Sequence, residues 1–231
     1  MNYAIKFPAT PTLPVAESTQ VFPVGRIYCV GRNYAEHARE MGHDPEREPP
    51  FFFMKPADAI VHNGATIPYP QVTKDLHHEI EMIVAIGKDG ANIPVEKALD
   101  HVFGYGVGLD MTRRDLQGEA KKMGRPWEMG KAFDNSAPCT ALKTVAMVGH
   151  PAKGAIWLKV NGKERQKADL SDMIWTVPEQ IAFLSEYYTL EPGDLIYSGT
   201  PAGVGPVKPG DDLHAGIDGV GELKVKIVAA L

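Results

Sequence analysis

Short apolar runs separated by turn residues dominate this chain. A β-like run at residues 27–30 ends at Gly31, and another follows at 51–54. Residues 76–86 are a longer strand candidate, rich in Ile, Val and Met. Runs of this length bounded by Gly and Pro are typical of strands, so we predict a β-dominated architecture.

A second strand candidate, at residues 102–110, carries glycine at every second position. Successive side chains of a strand point to opposite faces, so these glycines leave one face bare. Another backbone or a ligand can approach such a face closely. The glycines are Gly104, Gly106 and Gly108, and the predicted strand ends at Asp110.

Helical patterns are short. Asn33 followed by Glu36 resembles a capping box and predicts a helix over 33–41 that Gly42 ends. A weak helix is expected over 95–100. We predict longer ones over 110–121 and over 177–187.

Turn residues predict the remaining connections. Asn161-Gly162 is typical of a β-hairpin turn, here between residues 156–160 and 163–167. The segment 123–138 is expected to be a loop. Two Pro-Gly-Asp triplets, at 192–194 and 209–211, each lead into a predicted strand.

The length of 231 residues fits one compact domain with a short appendage. The 23 glycines and 19 prolines agree with many tight turns. Residues 1–23, rich in Pro, Thr and Val, are predicted to form an extended N-terminal arm, and residues 24–231 the body. The fold class is therefore mixed α+β and β-dominated.

Charge and composition exclude several classes of protein. The net charge of −5 and the lack of a basic run argue against nucleic-acid and membrane-surface binding. No stretch approaches the roughly 20 apolar residues needed to cross a bilayer. Cys29 and Cys139 do not suggest a disulfide framework, and no signal peptide is evident, so a cytoplasmic location is expected.

The sharpest chemical feature is the pair Glu79 and Glu81 within the predicted strand. Side chains two apart share a face, and their α-carbons lie roughly 6.6 Å apart. Two carboxylates at that distance can converge on one cation. The alternative is a solvated face carrying two exposed glutamates, although Ile83 and Ala85 make the rest of that face apolar.

Asp110 offers a third carboxylate at the end of the glycine-rich strand. Three carboxylates suit a hard ion, Mg²⁺, Mn²⁺ or Ca²⁺. The alternative role for Asp110 is a helix N-cap. Arg114 and Gln117 follow on one helix face and suit a carboxylate ligand. Arg114 could instead form a surface pair with Asp115 or Glu119.

His37 and Glu40 are three residues apart in a predicted helix and can form a general base with its orienting carboxylate. The alternative is a solvated, charged helix surface. Lys55 and Lys131 are placed in loops or at strand ends, where lysines are usually just solvated. Thr200 lies in a Gly-rich turn that lacks the spacing of a nucleotide-binding loop.

Taken together, these motifs resemble the fumarylacetoacetate hydrolase superfamily. The resemblance rests on segments 30–34, 55–56, 78–81, 104–105, 110–117, 131–134 and 198–201, in family order. It implies a β-roll fold with short peripheral helices, in a homodimer. It implies a metal held by Glu79, Glu81 and Asp110, and a water-activating dyad of His37 and Glu40 on a lid.

The same resemblance implies substrate contacts from Lys131, Arg114, Gln117 and Thr200. Leu109 stands where many members carry Asn, which resembles the acylpyruvate hydrolase branch, and segment 48–58 looks closest to fumarylpyruvate hydrolases of gentisate breakdown. The expected substrate is a small dicarboxylic dioxo acid, with Arg32 or Lys55 binding its second carboxylate.

Other functions remain open at this point. Oxaloacetate decarboxylation and the isomerisation or decarboxylation of hydroxymuconate-type acids use a similar site. A non-catalytic module that binds a cation or a carboxylate is the alternative from a different class. The dyad and Lys131, which mere binding would not require, favour an enzyme.

Overall fold

The computed structural model describes residues 4–6, 8–40 and 48–230. Within them, the strands in chain order begin with β1 (Thr12–Pro14), β2 (Val21–Pro23), β3 (Ile27–Gly31), β4 (Phe51–Lys55), β5 (Ile60–His62), β6 (Thr66–Pro68), β7 (Leu76–His78), β8 (Ile80–Ile86) and β9 (Val102–Leu109). They continue with β10 (Thr112–Arg113), β11 (Ala137–Cys139), β12 (Lys143–Thr144), β13 (Ala155–Val160), β14 (Lys163–Asp169), β15 (Leu195–Tyr197), β16 (Gly205–Val207), β17 (Asp212–Ile217) and β18 (Gly221–Val228).

The helices are short and lie between these strands. The α-helices of the described part are α1 (Ala35–Glu40), α2 (Arg114–Lys122), α3 (Glu128–Lys131), α4 (Val145–Val148) and α5 (Val177–Tyr187). Three 3₁₀ helices are also present in the described part, Ala57–Ala59, Val95–His101 and Leu170–Asp172. This confirms the predicted β-dominated α+β fold with short helices. In the part of the chain that the structure describes, no helix is both long and apolar enough to span a bilayer.

One mixed sheet of eight strands forms the centre of the molecule. Its order is β4-β3-β15-β8-β9-β11-β5, and β12 pairs with β9 beside this path. A five-stranded sheet has the order β14-β13-β17-β18-β6, and a three-stranded sheet has the order β10-β7-β16. The site described below lies where the three-stranded sheet meets the central one.

Strand β8 is buried on both faces and divides the core in two. Ile80, Met82 and Val84 pack in the larger hydrophobic cluster. Ile83 and Ala85 face a smaller cluster that also holds Cys29 and Cys139, both of them free thiols. The alternation predicted from the sequence is therefore confirmed, with one difference. The predicted strand over 76–86 breaks at Glu79, and β7 and β8 belong to different sheets.

Another segment of backbone approaches β9 closely at Gly104, while side chains pack on Gly106 and Gly108. β12 pairs with β9 at Gly104 and Tyr105. A Cβ at Gly104 would overlap the carbonyl oxygen of Lys143. The close approach predicted from alternating glycine is thus made by the chain itself.

Several local predictions are confirmed. The helix over 177–187 begins with the Thr176/Glu179 capping box and Pro178 in its first turn. The hairpin of β13 and β14 turns at Asn161 and Gly162, which have φ of 52° and 76°. Both Pro-Gly-Asp triplets lead into strands, β15 and β17.

The helix predicted over 110–121 was placed too early. Residues Thr112–Arg113 pair with β7 as β10, so α2 begins only at Arg114. The segment 123–138, predicted as a loop, contains α3 and the first residues of β11.

Strands β1 and β2 of the N-terminal segment form an antiparallel pair. Leu13 and Phe22 of this pair are buried in the smaller core cluster. Leu142 accepts a hydrogen bond from the backbone of Ala16 at 2.8 Å and donates one to Pro14 at 2.8 Å. The first strands of the predicted arm are thus attached to the body.

Candidate metal centre and active site

Three buried carboxylates meet where β7, β8 and β9 come together. One oxygen of each of Glu79, Glu81 and Asp110 lies within 4.8 Å of the others. Their exposed fractions are 4%, 1% and 0%. The predicted convergence is confirmed, and the alternative of a solvated strand face is excluded.

Backbone pairing brings these residues together. Glu81 lies opposite Gly108 in the β8–β9 ladder. The backbone N–H of Asp110 donates to the carbonyl of Glu79 at 2.8 Å. Asp110 is not a helix N-cap, because β10 separates it from α2.

Two lysines neutralise part of this negative charge. Nζ of Lys131 donates to Oε2 of Glu79 at 2.8 Å and to Oδ2 of Asp110 at 2.6 Å. Burial alone would lower the pKa of Lys131, but the two carboxylates raise it above its ordinary value. Lys131 is the last residue of α3, not a solvated loop lysine as its sequence context suggests.

Lys55, at the end of β4, lies beneath the carboxylates. Its Nζ is 2.8 Å from Oδ1 of Asp110 and donates to the carbonyl groups of Met111 and Lys131. The side chain is fully buried and does not line the cleft. The expectation that Lys55 binds a second substrate carboxylate is therefore wrong, because its ammonium group is enclosed by protein.

Glu79 is the most strongly compensated carboxylate of the three. Burial would raise its pKa, but Lys131, Arg114 and His37 together hold the pKa well below its ordinary value. Arg114 donates directly to Oε1 of Glu79. Glu79 is therefore ionised at neutral pH.

Glu81 shows the opposite balance. Its Oε2 accepts the backbone N–H of Gly199 at 2.8 Å. Burial, followed by the charges of Asp110 and Glu79, raises its pKa well above the ordinary value. Three carboxylate oxygens that converge within 4.8 Å, one of them on a group whose pKa its neighbours raise, fit the ligand set of a divalent cation such as Mg²⁺ or Mn²⁺.

His37 on α1 is buried beside this cluster. Its Nδ1 lies 3.2 Å from Oε2 of Glu40, and Glu40 accepts the backbone N–H of Gly203 at 3.1 Å. Burial lowers the pKa of His37 below its ordinary value of 6.5. The imidazole is therefore neutral at pH 7, with Nδ1–H donated to Glu40 and Nε2 left as a base. The predicted pairing is confirmed.

The helix that carries His37 starts later than predicted. α1 begins at Ala35, and Asn33 does not cap it. Instead, the Asn33 amide donates to the carbonyl of Ser198 at 2.7 Å and to that of Trp175 at 2.9 Å. It thereby fixes the chain entering α1 against the loop that contains Thr200. The predicted helix end at Met41 and Gly42 lies outside the described residues.

Arg114 and Gln117 share a face of α2, as predicted. Nη1 of Arg114 donates to Oε1 of Gln117 at 2.7 Å. Arg114 does not form the alternative surface pair with Asp115 or Glu119, because its guanidinium group is bound to Glu79 and Gln117. Both residues border the carboxylate cluster.

These residues line one open cleft. It contains the three carboxylates, His37, Arg114, Gln117, Lys131, Thr200 and Arg32, and thus most of the predicted site residues. Its remaining walls are Val30, Gly31, Phe51, Phe53, Lys121 and Trp127. Glu40 supports His37 from outside the lining.

Two residues of this site, Lys121 and Gln166, were not predicted from the sequence. Lys121 lies four residues after Gln117 and seven after Arg114, so helical spacing could have identified it. Gln166 on β14 bonds Thr200 and the start of β8. It is distant in sequence from every other site residue, and no local pattern indicates its role.

The fold and the carboxylate cluster define a class of metal-dependent enzymes acting on small oxo acids. The fumarylacetoacetate (FAA) hydrolase C-terminal family model matches residues 26–228. The chain belongs to this family.

Solved structures of relatives agree with this assignment. The chain is 54% identical to the fumarylpyruvate hydrolase of Pseudomonas aeruginosa, crystallised with Mn²⁺ and pyruvate, with a TM-score of 0.96 over 99% of this chain and 100% of that one. The 5-carboxymethyl-2-hydroxymuconate delta-isomerase of Mycobacterium smegmatis is 32% identical, with a TM-score of 0.81 over 91% and 81%. The predicted fumarylacetoacetate hydrolase fold is thus confirmed.

A curated relative has a different activity. The mitochondrial oxaloacetate tautomerase FAHD1 of Mus musculus is 45% identical over 201 residues, which cover 87% of this chain and 90% of that protein. The family therefore includes both bond-cleaving and isomerising members at substantial identity.

Proposed function

We propose that this protein is a divalent-metal-dependent hydrolase that cleaves the carbon–carbon bond of fumarylpyruvate to give fumarate and pyruvate. The observation that carries the proposal is the convergence of three buried carboxylates and the His37–Glu40 pair on one cleft. The 54% identity to a fumarylpyruvate hydrolase supports this choice of substrate.

Glu79, Glu81 and Asp110 would hold the metal ion. When bound, a divalent cation supplies Lewis-acid stabilisation of the negative charge that develops during cleavage. Lys131 and Arg114 lower the pKa of Glu79 and so keep that carboxylate ionised for this purpose.

His37 is the proposed general base. Glu40 accepts Nδ1–H and fixes the tautomer, so Nε2 takes a proton from water while the water oxygen attacks the acyl carbonyl carbon. The bond from that carbon to the neighbouring methylene carbon then breaks. Its electron pair remains on the pyruvoyl fragment, which is protonated to pyruvate, and the acyl fragment leaves as fumarate.

Arg114, Gln117 and Thr200 are the proposed substrate contacts. Arg114 and Gln117 form a hydrogen-bonded pair that can orient a carboxylate and its neighbouring oxygen. Thr200, which also lines the cleft, is held by Gln166. The ammonium group of Lys131 adds positive charge next to the carboxylates, where it stabilises the developing anion.

Oxaloacetate tautomerisation is the second candidate, because a curated relative at 45% identity carries that activity. It needs proton transfer at the carbon between the two carbonyl groups but no attack by water. A buried, neutral base held by a carboxylate fits water activation as well as proton transfer.

Proton NMR with the Mg²⁺-loaded protein tests the proposal. Fumarate and pyruvate should appear from fumarylpyruvate in equal molar amounts, with vinyl and methyl proton signals in a ratio of 2:3, at a rate well above that of the protein-free solution. Fumarylpyruvate that stays intact, while the enol and keto forms of oxaloacetate interconvert rapidly, would replace the hydrolase by the tautomerase.

Its setting in the cell is part of the proposal. We place the protein in the cytoplasm, in the breakdown of aromatic compounds, as a homodimer with one catalytic domain over 24–231 and an N-terminal arm over 1–23. Light scattering should give about twice the 25.2 kDa chain mass.

A further inference from the structure

Two positively charged side chains in the cleft have no negative partner among the described residues. Arg114 and Lys131 are bonded to the metal-centre carboxylates. Arg32 and Lys121 also line the cleft, but neither forms a salt bridge or a side-chain hydrogen bond within the part of the chain that the structure describes. Two described carboxylates act on these cations without bonding to them, Glu48 on Arg32 and Glu79 on Lys121.

Aromatic rings hold these two cations in place. The guanidinium carbon of Arg32 lies 5.4 Å from the ring centre of Phe51. Nζ of Lys121 lies 4.9 Å from the ring centre of Trp127. The rings of Phe51 and Trp127 are in edge contact with centroids 5.3 Å apart. The two cations therefore sit on one continuous aromatic wall.

The positive charges of Arg32 and Lys121 are destabilised in this partly buried cleft when no anion is bound. Burial, followed by repulsion from Arg114, Arg32 and Lys131, lowers the pKa of Lys121 to about 8. Burial lowers that of Arg32 as well. Unpaired cations kept in a partly buried cleft indicate a site organised for an anionic ligand group.

We propose that Lys121 and Arg32 form the subsite for the second, distal carboxylate of the substrate, and that Lys121 determines specificity for dicarboxylic over monocarboxylic acylpyruvates. The proposal rests on the proposed function and adds a residue to it. Within the cleft, Arg114 and Lys131 are bound to the carboxylates, whereas Arg32 and Lys121 lie on the rings of Phe51 and Trp127 and are left for the ligand. A substrate with a charge at each end matches this distribution.

The test compares two substrates that differ only beyond the acyl carbonyl. Fumarylpyruvate carries the distal carboxylate and acetylpyruvate does not. In Lys121→Met we expect kcat/KM for fumarylpyruvate to fall about 10- to 100-fold, as for loss of one charged hydrogen bond. For acetylpyruvate it should change less than about threefold. Lys121→Arg should retain most of the activity towards fumarylpyruvate.

The neighbouring Lys122 supplies the matched control, because it lies on the same helix but is exposed to solvent. Lys122→Met should leave both substrates unaffected. Equal losses for the two substrates in Lys121→Met, or no loss for either, would overturn the subsite.

A binding measurement separates this proposal from the proposed function. If the wild-type protein cleaves neither acid, the hydrolase assignment fails, and calorimetry with fumarate and crotonate still tests the subsite. Crotonate has the same trans skeleton with a methyl group in place of one carboxylate. Wild-type protein loaded with Mg²⁺ should prefer fumarate, and Lys121→Met should lose that preference. The absence of any preference in the wild type would reject the subsite.

Discussion

The side-chain amide of Gln166 donates a hydrogen bond of 2.8 Å to the hydroxyl of Thr200. The same amide donates to the carbonyl of Pro201 at 2.8 Å and accepts the backbone N–H of Ile80 at 3.1 Å. It also accepts from Nδ1 of His78, an imidazole whose pKa burial lowers to about 4 and which is therefore neutral. One buried side chain thus links the Thr200 loop to the strand of metal-centre carboxylates.

Gln166→Leu should destabilise the protein by about 1–3 kcal/mol, because the buried N–H of Ile80 loses its partner. It should also lower kcat, since Thr200 and β8 are no longer held together. Chemical denaturation and steady-state kinetics measure the two effects. The exposed neighbour Lys167 provides the control, and Lys167→Ala should change stability by less than about 0.5 kcal/mol. Unchanged stability in Gln166→Leu would show that the linkage is dispensable.

His37→Asn should keep its metal and lose turnover by about 10²- to 10⁴-fold, the range expected for loss of a general base. Metal content is measured by mass spectrometry on the same sample as activity. In the wild type, kcat/KM should fall only as the pH drops below about 6.5, because burial lowers the pKa of His37 and the base must be neutral. Glu40→Gln should show a smaller loss. Wild-type turnover in His37→Asn would assign the base elsewhere.

The alkaline side of the pH profile should depend on the substrate. Lys121, with a pKa lowered to about 8 by burial and by Arg114, Arg32 and Lys131, is charged below that value and neutral above it. The charge of Glu79 raises the pKa of Lys121, but it is the smallest of these effects. Thus kcat/KM for fumarylpyruvate should fall as the pH rises through about 8, while that for acetylpyruvate should not. Lys121→Met should remove the difference, and identical wild-type profiles would contradict it.

The glycines of β9 should differ in their tolerance of a side chain. Gly104→Ala should destabilise the protein by about 2–3 kcal/mol, because its Cβ would overlap the carbonyl oxygen of Lys143, and a paired backbone cannot yield cheaply. Gly106→Ala is the matched control, since its Cβ would meet only side-chain atoms, Leu142 and Thr140 each at 3.2 Å, and no backbone. It should cost less than about 1 kcal/mol. Equal thermal stabilities of the two variants would contradict this account of the alternating glycines.

The elements that could be predicted from the sequence are those determined by residues close together in the chain. The helix over 177–187 carries its own capping box and N-terminal proline, and Asn161-Gly162 carries the turn of its hairpin. The assignment of side chains to the two faces of β8 followed from their alternation along the strand. The convergence of Glu79 and Glu81 followed from the same alternation, even though Glu79 proved to lie at a break between strands.

Elements decided by distant partners could not be predicted in this way. Pairing of Thr112 with His77 of β7 delays the start of α2. The side chain of Asn33, 142 residues from Trp175 in sequence, binds that residue instead of capping α1. The burial of Lys55 beneath Asp110 depends on β4 pairing with β3, which no local pattern at Lys55 reveals.

The most direct test of the central claim is the loss of the enol absorbance of fumarylpyruvate before and after metal removal by EDTA. We expect cleavage to stop in the EDTA-treated protein and to return on addition of Mg²⁺ or Mn²⁺. Glu81→Gln should behave like the treated protein whether or not metal is added. Cleavage that continues in protein shown to be free of metal would contradict the assignment of Glu79, Glu81 and Asp110 as the metal centre of a hydrolase.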